Sequence, residues 1–161
     1  MISKKMQEAI NAQINAELWS AYLYLSMSMD AADKGLKGSA HWFALQFKEE
    51  QEHAEKLANY LQSQNAKVVL APIAAVQTEW PSVVAMFDDT LTHEQEVTAM
   101  IHELCKLAAA EQDFATANML QWFVNEQVEE EETAREILDA FKMVEGEKVG
   151  VYMLDQKLGA R

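Results

Sequence analysis

Proline and glycine are scarce in this chain, with two Pro and five Gly among 161 residues. So few backbone breakers argue against many short strands joined by tight turns. Together with abundant Ala, Leu, Glu, Gln and Lys they favour long helices. Cysteine is nearly absent: Cys105 has no partner within the chain, which excludes an internal disulfide, and it reads as a small buried apolar side chain. Positive charge is also short, with 13 Lys and Arg against 26 Asp and Glu and a formal net charge of −13. Such a surface repels nucleic acid and anionic lipid and attracts cations. No apolar run is long enough to span a bilayer, and the opening stretch MISKKMQEAINAQINAE is amphipathic without an apolar signal core. The expected setting is the cytoplasm, with neither membrane nor nucleic acid as a partner.

What the chain does have is hydrophobic residues, at 50% of the total, enough for one domain with a substantial core. Apolar residues recur at helical spacing in four long segments, at about residues 3–34, 39–65, 82–110 and 113–144, with a short fifth at about 148–158. Ser3, Ser39 and Asp113 are placed to cap the first, second and fourth, and the third starts near Ser82, just after Pro81. Gly35 and Gly38 make the first connection, and Gly146 ends the fourth segment. Between the second and third lies AKVVLAPIAAVQTEWPS, residues 66–82, with both prolines and no long helical period. It is too long for a tight turn but can carry the chain from one end of a bundle to the other. Its Val68, Val69, Leu70 and Ile73 imply packing against the bundle. The expected fold is all-α: a four-helix bundle with one long crossover and a short C-terminal fifth helix, forming one domain over residues 1–161.

Each long segment interrupts its apolar side near the middle. The stretch FKEEQEHAEKL, residues 47–57, places Glu50 and His53 among Phe43, Phe47, Ala54, Leu57 and Leu61. The first segment reads Ile10, Ile14, Glu17, Ala21, Tyr24; the third, Phe87, Leu91, Glu94, Ile101; the fourth, Phe123, Gln127, Glu130, Ala134, Ile137. Burying a lone carboxylate is costly unless it is paired, protonated or bound to metal. One interruption reads as a side chain satisfied by its neighbour. Four at matching depth read as one shared dinuclear site, with Glu50 and His53 on one helix face. An oxygen-rich set with a single imidazole suits Fe²⁺ or Mn²⁺ better than a thiolate-preferring ion. Two Fe²⁺ would balance the carboxylates of Glu17, Glu50, Glu94 and Glu130. Glu49, Glu126 and Glu129 add acid beside this set, and with Glu130 they could hold a third iron. Tyr24, on the same side as Glu17, is either a core tyrosine or a partner of a ligand. His41, His93 and His102 read as surface or packing residues, and Trp122 as packing.

Together Glu17, Tyr24, Glu49-Glu50-x-x-His53, Glu94 and Glu126-Gln127-x-Glu129-Glu130, preceded by Trp122, resemble the bacterial non-haem ferritins over essentially the whole chain. The resemblance implies iron storage, with Fe²⁺ oxidised by O₂ or H₂O₂ at a ferroxidase centre inside each bundle. It assigns Glu17, Glu50 and His53 to the first iron, and Glu50, Glu94 and Glu130 to the second, with Gln127 alongside. Glu49, Glu126, Glu129 and Glu130 would form a third site, and Tyr24 would stand beside the iron pair. It also implies a hollow shell of 24 copies, with the tail helix lining its four-fold pores. Bacterioferritins and rubrerythrins carry a second Glu-x-x-His on the fourth helix, where this chain has Gln127-x-x-Glu130. Bacterioferritins hold haem with a Met directly after the second-helix Glu; here that position is Gln51, so no haem is expected. Rubrerythrins need several cysteines. The DNA-protecting mini-ferritins hold iron between subunits and lack the tail helix.

Overall fold

A computed structural model describes residues 1–161. The chain forms five helices and no strand: α1 (Lys4–Asp33), α2 (Lys37–Ser63), α3 (Val83–Ala110), α4 (Phe114–Met143) and α5 (Lys148–Leu158). No helix is long and apolar enough to cross a membrane. Side-chain oxygens start three of them. Ser3 accepts from Met6 N–H, Ser82 from Ala85 N–H and Asp113 from Thr116 N–H. Left-handed residues stop α1, α2 and α3: Gly35 (φ 75°), Asn65 (φ 55°) and Gln112 (φ 54°). Behind each, the next N–H returns to the helix, as Leu36 to Ala31 O, Ala66 to Leu61 O and Asp113 to Ala108 O, all at 2.9 Å. These bonds satisfy carbonyls that a helix end otherwise leaves open.

The start of α2 departs from the sequence expectation. Ser39 is not its cap: the helix begins at Lys37 and Leu36, in the cap position, has no side chain able to accept a hydrogen bond. The acceptor comes from α5. Asp155 Oδ2 takes the N–H of Gly38 at 2.9 Å, and Oδ1 takes both the N–H and the hydroxyl of Ser39 at 2.7 Å. The carboxylate thus supplies two open N–H groups and a charge suited to the positive end of the helix dipole. Gly38 is required for the approach, since a Cβ there would lie 1.6 Å from the Asp155 carbonyl oxygen.

Helices α1 and α2 form one hairpin and α3 and α4 another. The crossover joins them by running alongside α1, but not through the apolar packing expected for it. Val69, Leu70 and Ile73 are 52%, 71% and 44% exposed, and of the four only Val68 packs on the core. The segment has no secondary structure to satisfy its backbone, and polar residues of α1 do so instead. Asn11 donates to Lys67 O at 3.0 Å and accepts from Val69 N–H at 2.7 Å, Asn15 donates to Pro72 O, Trp19 to Ala75 O and Ser26 to Gln77 O. The far end is fixed by buried Trp80, whose backbone N–H donates to Asp30 and whose indole donates to Asp89.

The core divides in two. One apolar cluster gathers Met6, Ile10, Ile14, Leu57, Leu61, Ile101, Leu104 and Phe123. The other gathers Tyr24, Met27, Trp42, Phe43, Met86, Phe87 and Phe141, with the rings of Phe43, Phe87 and Phe141 stacked at 4.9 and 5.5 Å. Along the long helices the buried Glu17, Glu50, Glu94 and Glu130 each fall between residues of the first cluster and residues of the second. Cys105, expected to be buried, is half-buried at the edge of the first cluster.

Asp155→Ala should lower the thermal midpoint of the metal-free protein by several degrees. It strands two N–H groups at the start of α2, a loss of about 1–3 kcal/mol. Asp155→Asn should recover part of the loss. Unchanged melting of the Ala variant would remove Asp155 as the cap of α2.

Candidate metal centre

Glu17, Glu50, His53, Glu94, Gln127 and Glu130 are all buried, and they come from all four long helices. Each shares the helical period of its apolar neighbours, so each is carried inward with them. Glu17 Oε1 accepts from Gln13 Nε2 at 2.9 Å, while Glu17 Oε2 is buried with no hydrogen-bond partner. Such an orphaned acceptor is costly in a protein interior. Glu50 Oε2 faces His53 Nδ1 at 3.2 Å. One ligand atom from each of Glu17, Glu50 and His53 lies within 4.8 Å of the other two, a separation that a single ion can span. The other ring nitrogen of the histidine, Nε2, stands 3.9 Å from Glu126 Oε1. His53, Glu126 and Glu130 make a second such triad. His53 therefore links a wholly buried group on one side to a half-buried one on the other.

Glu94 stands outside both triads, and both its oxygens are engaged. Tyr24 Oη donates to Oε1, and Gln127 Nε2 donates to Oε2 at 3.0 Å. Gln127 also donates to the backbone oxygen of Glu94 at 3.1 Å, which locks α4 to α3 at this depth. Glu130 Oε2 accepts from Gln46 Nε2 at 3.0 Å. Of the remaining acids, Glu49 is half-exposed and bound to Arg161 at 2.5 Å, and Glu129 is exposed. Of the four residues expected at a third position, Glu126 and Glu130 thus meet at His53 while Glu49 and Glu129 lie outside that triad.

Burial and mutual repulsion act together on these carboxylates. Burial raises Glu50 well above the ordinary carboxylate range, and the charges of Glu94 and Glu17 add to it. Burial lifts Glu94 to about 7, against the lowering effect of the Tyr24 and Gln127 hydrogen bonds. Burial and the charge of Glu94 lift Glu130 to about 8. Burial, then the charges of Glu94 and Glu50, push the Tyr24 phenol upward, so it stays a neutral donor to Glu94. No Lys or Arg is buried among these groups. Protons or metal cations are what can balance them.

The surroundings sharpen the picture. Packed between Trp19 and Tyr24, His93 is buried, with a ring nitrogen 2.7 Å from Ser20 Oγ. Burial lowers it to about 4, so it is neutral packing. His41 and His102 are exposed. Trp122 is partly exposed and meets the His53 ring edge-on at 5.4 Å, with Lys56 Nζ 4.2 Å above its own ring. An open cleft of about 420 Å³ between α2 and α4, lined by Glu49, Glu52, Lys56, Trp122 and Glu126, leads to His53. A larger surface hollow of about 640 Å³ beside Gly35 and Gly146 carries no such triad. The sequence reading passed over Gln13 and Gln46. Both were findable, since each sits four residues before a buried glutamate on the same helix face. Arg161 had no such signal.

A four-helix bundle with a buried carboxylate and histidine cluster belongs to the class that builds metal sites from facing helices. The ferritin family model, described as a ferritin-like domain, matches residues 7–144. A bacterial non-heme ferritin of Bacteroides fragilis is 42% identical over 161 residues, covering the whole of both chains. One of Staphylococcus aureus is 33% identical over all of this chain and 97% of its own length. Among solved structures, an open-pore ferritin from the archaeon Archaeoglobus fulgidus superposes with a TM-score of 0.99 at 43% identity, covering all of this chain and 99% of that one. The chain belongs to the ferritin family.

The raised carboxylates make stability depend on pH. Their folded-state pKa values lie above the unfolded ones, so the native state holds protons that the unfolded chain has already released. The stabilisation is full below the ordinary glutamate range and is lost as pH rises through about 7 and 8. The metal-free protein should therefore melt at falling temperature from about pH 5 to about pH 8, and Glu94→Gln with Glu130→Gln should flatten that fall. Saturating Zn²⁺ should flatten it too, by displacing the protons. A metal-free melting curve independent of pH would contradict this account of the site.

Proposed function

We propose that this chain is an iron-storage ferroxidase acting in the cytoplasm. The observation that carries the reading is the partnerless, buried Glu17 Oε2 in one triad with Glu50 and His53. Iron is substrate and cargo here. Glu17, Glu50 and His53 would hold the first Fe²⁺; Glu50, Glu94 and Glu130 would hold the second, with Gln127 alongside. Two ferrous ions cancel the four carboxylate charges, and the same hard oxygen donors stabilise Fe³⁺ more than Fe²⁺, which favours oxidation. Each Fe²⁺ gives one electron. With O₂, two electrons and two protons yield hydrogen peroxide; with H₂O₂, two electrons and two protons yield two waters.

The chain's own groups set the conditions. Tyr24 and Gln127 aim Glu94, and Gln46 aims Glu130, so the donors are placed before iron arrives. The apolar layers on both sides keep bulk water away. Glu126, beside the outward nitrogen of His53, marks the way to a third position that includes Glu49, Glu129 and Glu130. Ferric iron leaving the centre would join a hydrated oxide core inside a shell of 24 copies. The ferritin membership supports that assembly, and the named relatives support storage.

Anaerobic Fe²⁺ titration followed by O₂, with oxidation and particle mass measured together, tests the reading. A storage protein gains mass far beyond a few irons per chain; one that merely retains a di-iron centre does not. Glu17→Ala, Glu50→Ala and His53→Ala should each slow the initial oxidation about tenfold or more, and near-normal rates would contradict the assignment. Glu129→Ala should spare the first rapid oxidation and change the iron oxidised per O₂.

A further inference from the structure

Arg161, just beyond α5, reaches the acidic flank of the centre. Its guanidinium lies 5.1 Å from the Trp42 ring centre, and His41 Nε2 stands 3.1 Å from its carbonyl oxygen. One guanidinium nitrogen, Nη1, donates to Gln46 Oε1 at 2.7 Å and lies 3.5 Å from Trp42 O. The other, Nη2, donates to Glu49 Oε1 at 2.5 Å. Buried Gln46 gives the other end of its amide, Nε2, to Glu130 Oε2. The guanidinium has donors only, so it takes the amide oxygen and leaves the NH₂ for the carboxylate. One cation thus holds two acids of the proposed third position, Glu49 directly and Glu130 through Gln46. Glu49 lies outside the triad of His53, Glu126 and Glu130.

We propose that Arg161 is a positioning residue for the third iron position: it serves as the built-in counter-ion while no third ion is bound, and an arriving cation displaces it from Glu49. This rests on the third position described above. A guanidinium on Glu49 neutralises a ligand and repels a second cation at short range, so it opposes third-ion binding. Its planar fork, stacked near Trp42, returns Glu49 and Gln46 to one geometry once the ion has moved on. The first ion is not expected to sense it, because the Arg161 guanidinium bonds only to Trp42, Gln46 and Glu49 and makes no hydrogen bond to Glu17, Glu50 or His53; the second shares Glu130, which Arg161 reaches only through Gln46.

The test is anaerobic calorimetric titration of the assembled protein with Zn²⁺, and separately with Fe²⁺, for wild type, Arg161→Ala, Arg161→Gln and Arg161→Lys. Arg161→Gln keeps a donor for Gln46 without the charge and guards against a packing defect. Arg161→Ala and Arg161→Gln should bind the first ion as wild type does and the third about threefold or more tightly, the scale of a partly exposed ion pair; Arg161→Gln, which keeps a donor for Gln46, should also leave the second ion near wild type. Arg161→Lys, which keeps the charge, should stay near wild type. Unchanged or weaker third-ion binding in both neutral variants, with the first ion intact, would overturn the role of Arg161 and leave the third position standing. Equal weakening at every ion would also overturn it, by showing a merely structural role. No third ion in any of the four proteins, with Glu129→Ala silent, would overturn the third position itself and this proposal with it.

Discussion

Carboxylates crowded into the middle of an apolar bundle are the constraint on which this molecule turns. In a low-dielectric interior their charges repel one another and cannot be left as they are. No buried lysine or arginine answers them. The amides of Gln13, Gln46 and Gln127 and the Tyr24 phenol each support one carboxylate oxygen, yet Glu17 Oε2 has no partner. The polar network is thus half-satisfied as it stands, a state that ordinary cores avoid. Under the proposed function, cations that enter and leave complete it. A site that bound its ion with every group already content would have less reason to exchange it.

That constraint also accounts for the division of the core. Stability comes from two apolar clusters, one on either side of the polar layer. The aromatic stack of Phe43, Phe87 and Phe141 belongs to one, and Tyr24 stands at its edge, 6.1 Å from Phe43, with its hydroxyl turned to Glu94. Packing there holds the rings, and through Tyr24 the Glu94 carboxylate, in one arrangement. On the α2–α4 side the wall thins, and Glu126 and Trp122 leave His53 facing an open cleft. The polar layer is enclosed by the two apolar clusters and open on the α2–α4 side.

The short fifth helix is tied to this centre through α2. Asp155 caps the start of α2 and Gly38 lets the two backbones meet. The same docking brings Arg161 to Glu49 and Gln46. Residues more than a hundred positions apart in the chain thereby become neighbours. The crossover works differently: its backbone is held by the polar flank of α1, which leaves Val69, Leu70 and Ile73 facing outward. Their apolar character had suggested burial. Apolar content without a helical or alternating period does not say which way a side chain points.

The burial of much of the candidate site was legible in the sequence. Glu17, Glu50, His53, Glu94, Gln127 and Glu130 each occupy an inward position of a strong helical period, so spacing alone placed them inside. Gln13 and Gln46 could have been read the same way. Spacing determined the helices, their inner faces and the depth of the polar layer, because those are properties of a single helix read along its own axis. It could not determine which oxygen meets which donor, that Glu94 is held by Tyr24 and Gln127, that Ser39 yields the capping of α2 to Asp155, or that Arg161 reaches Glu49. Those contacts join separate helices, and distance between helices is decided only when they pack.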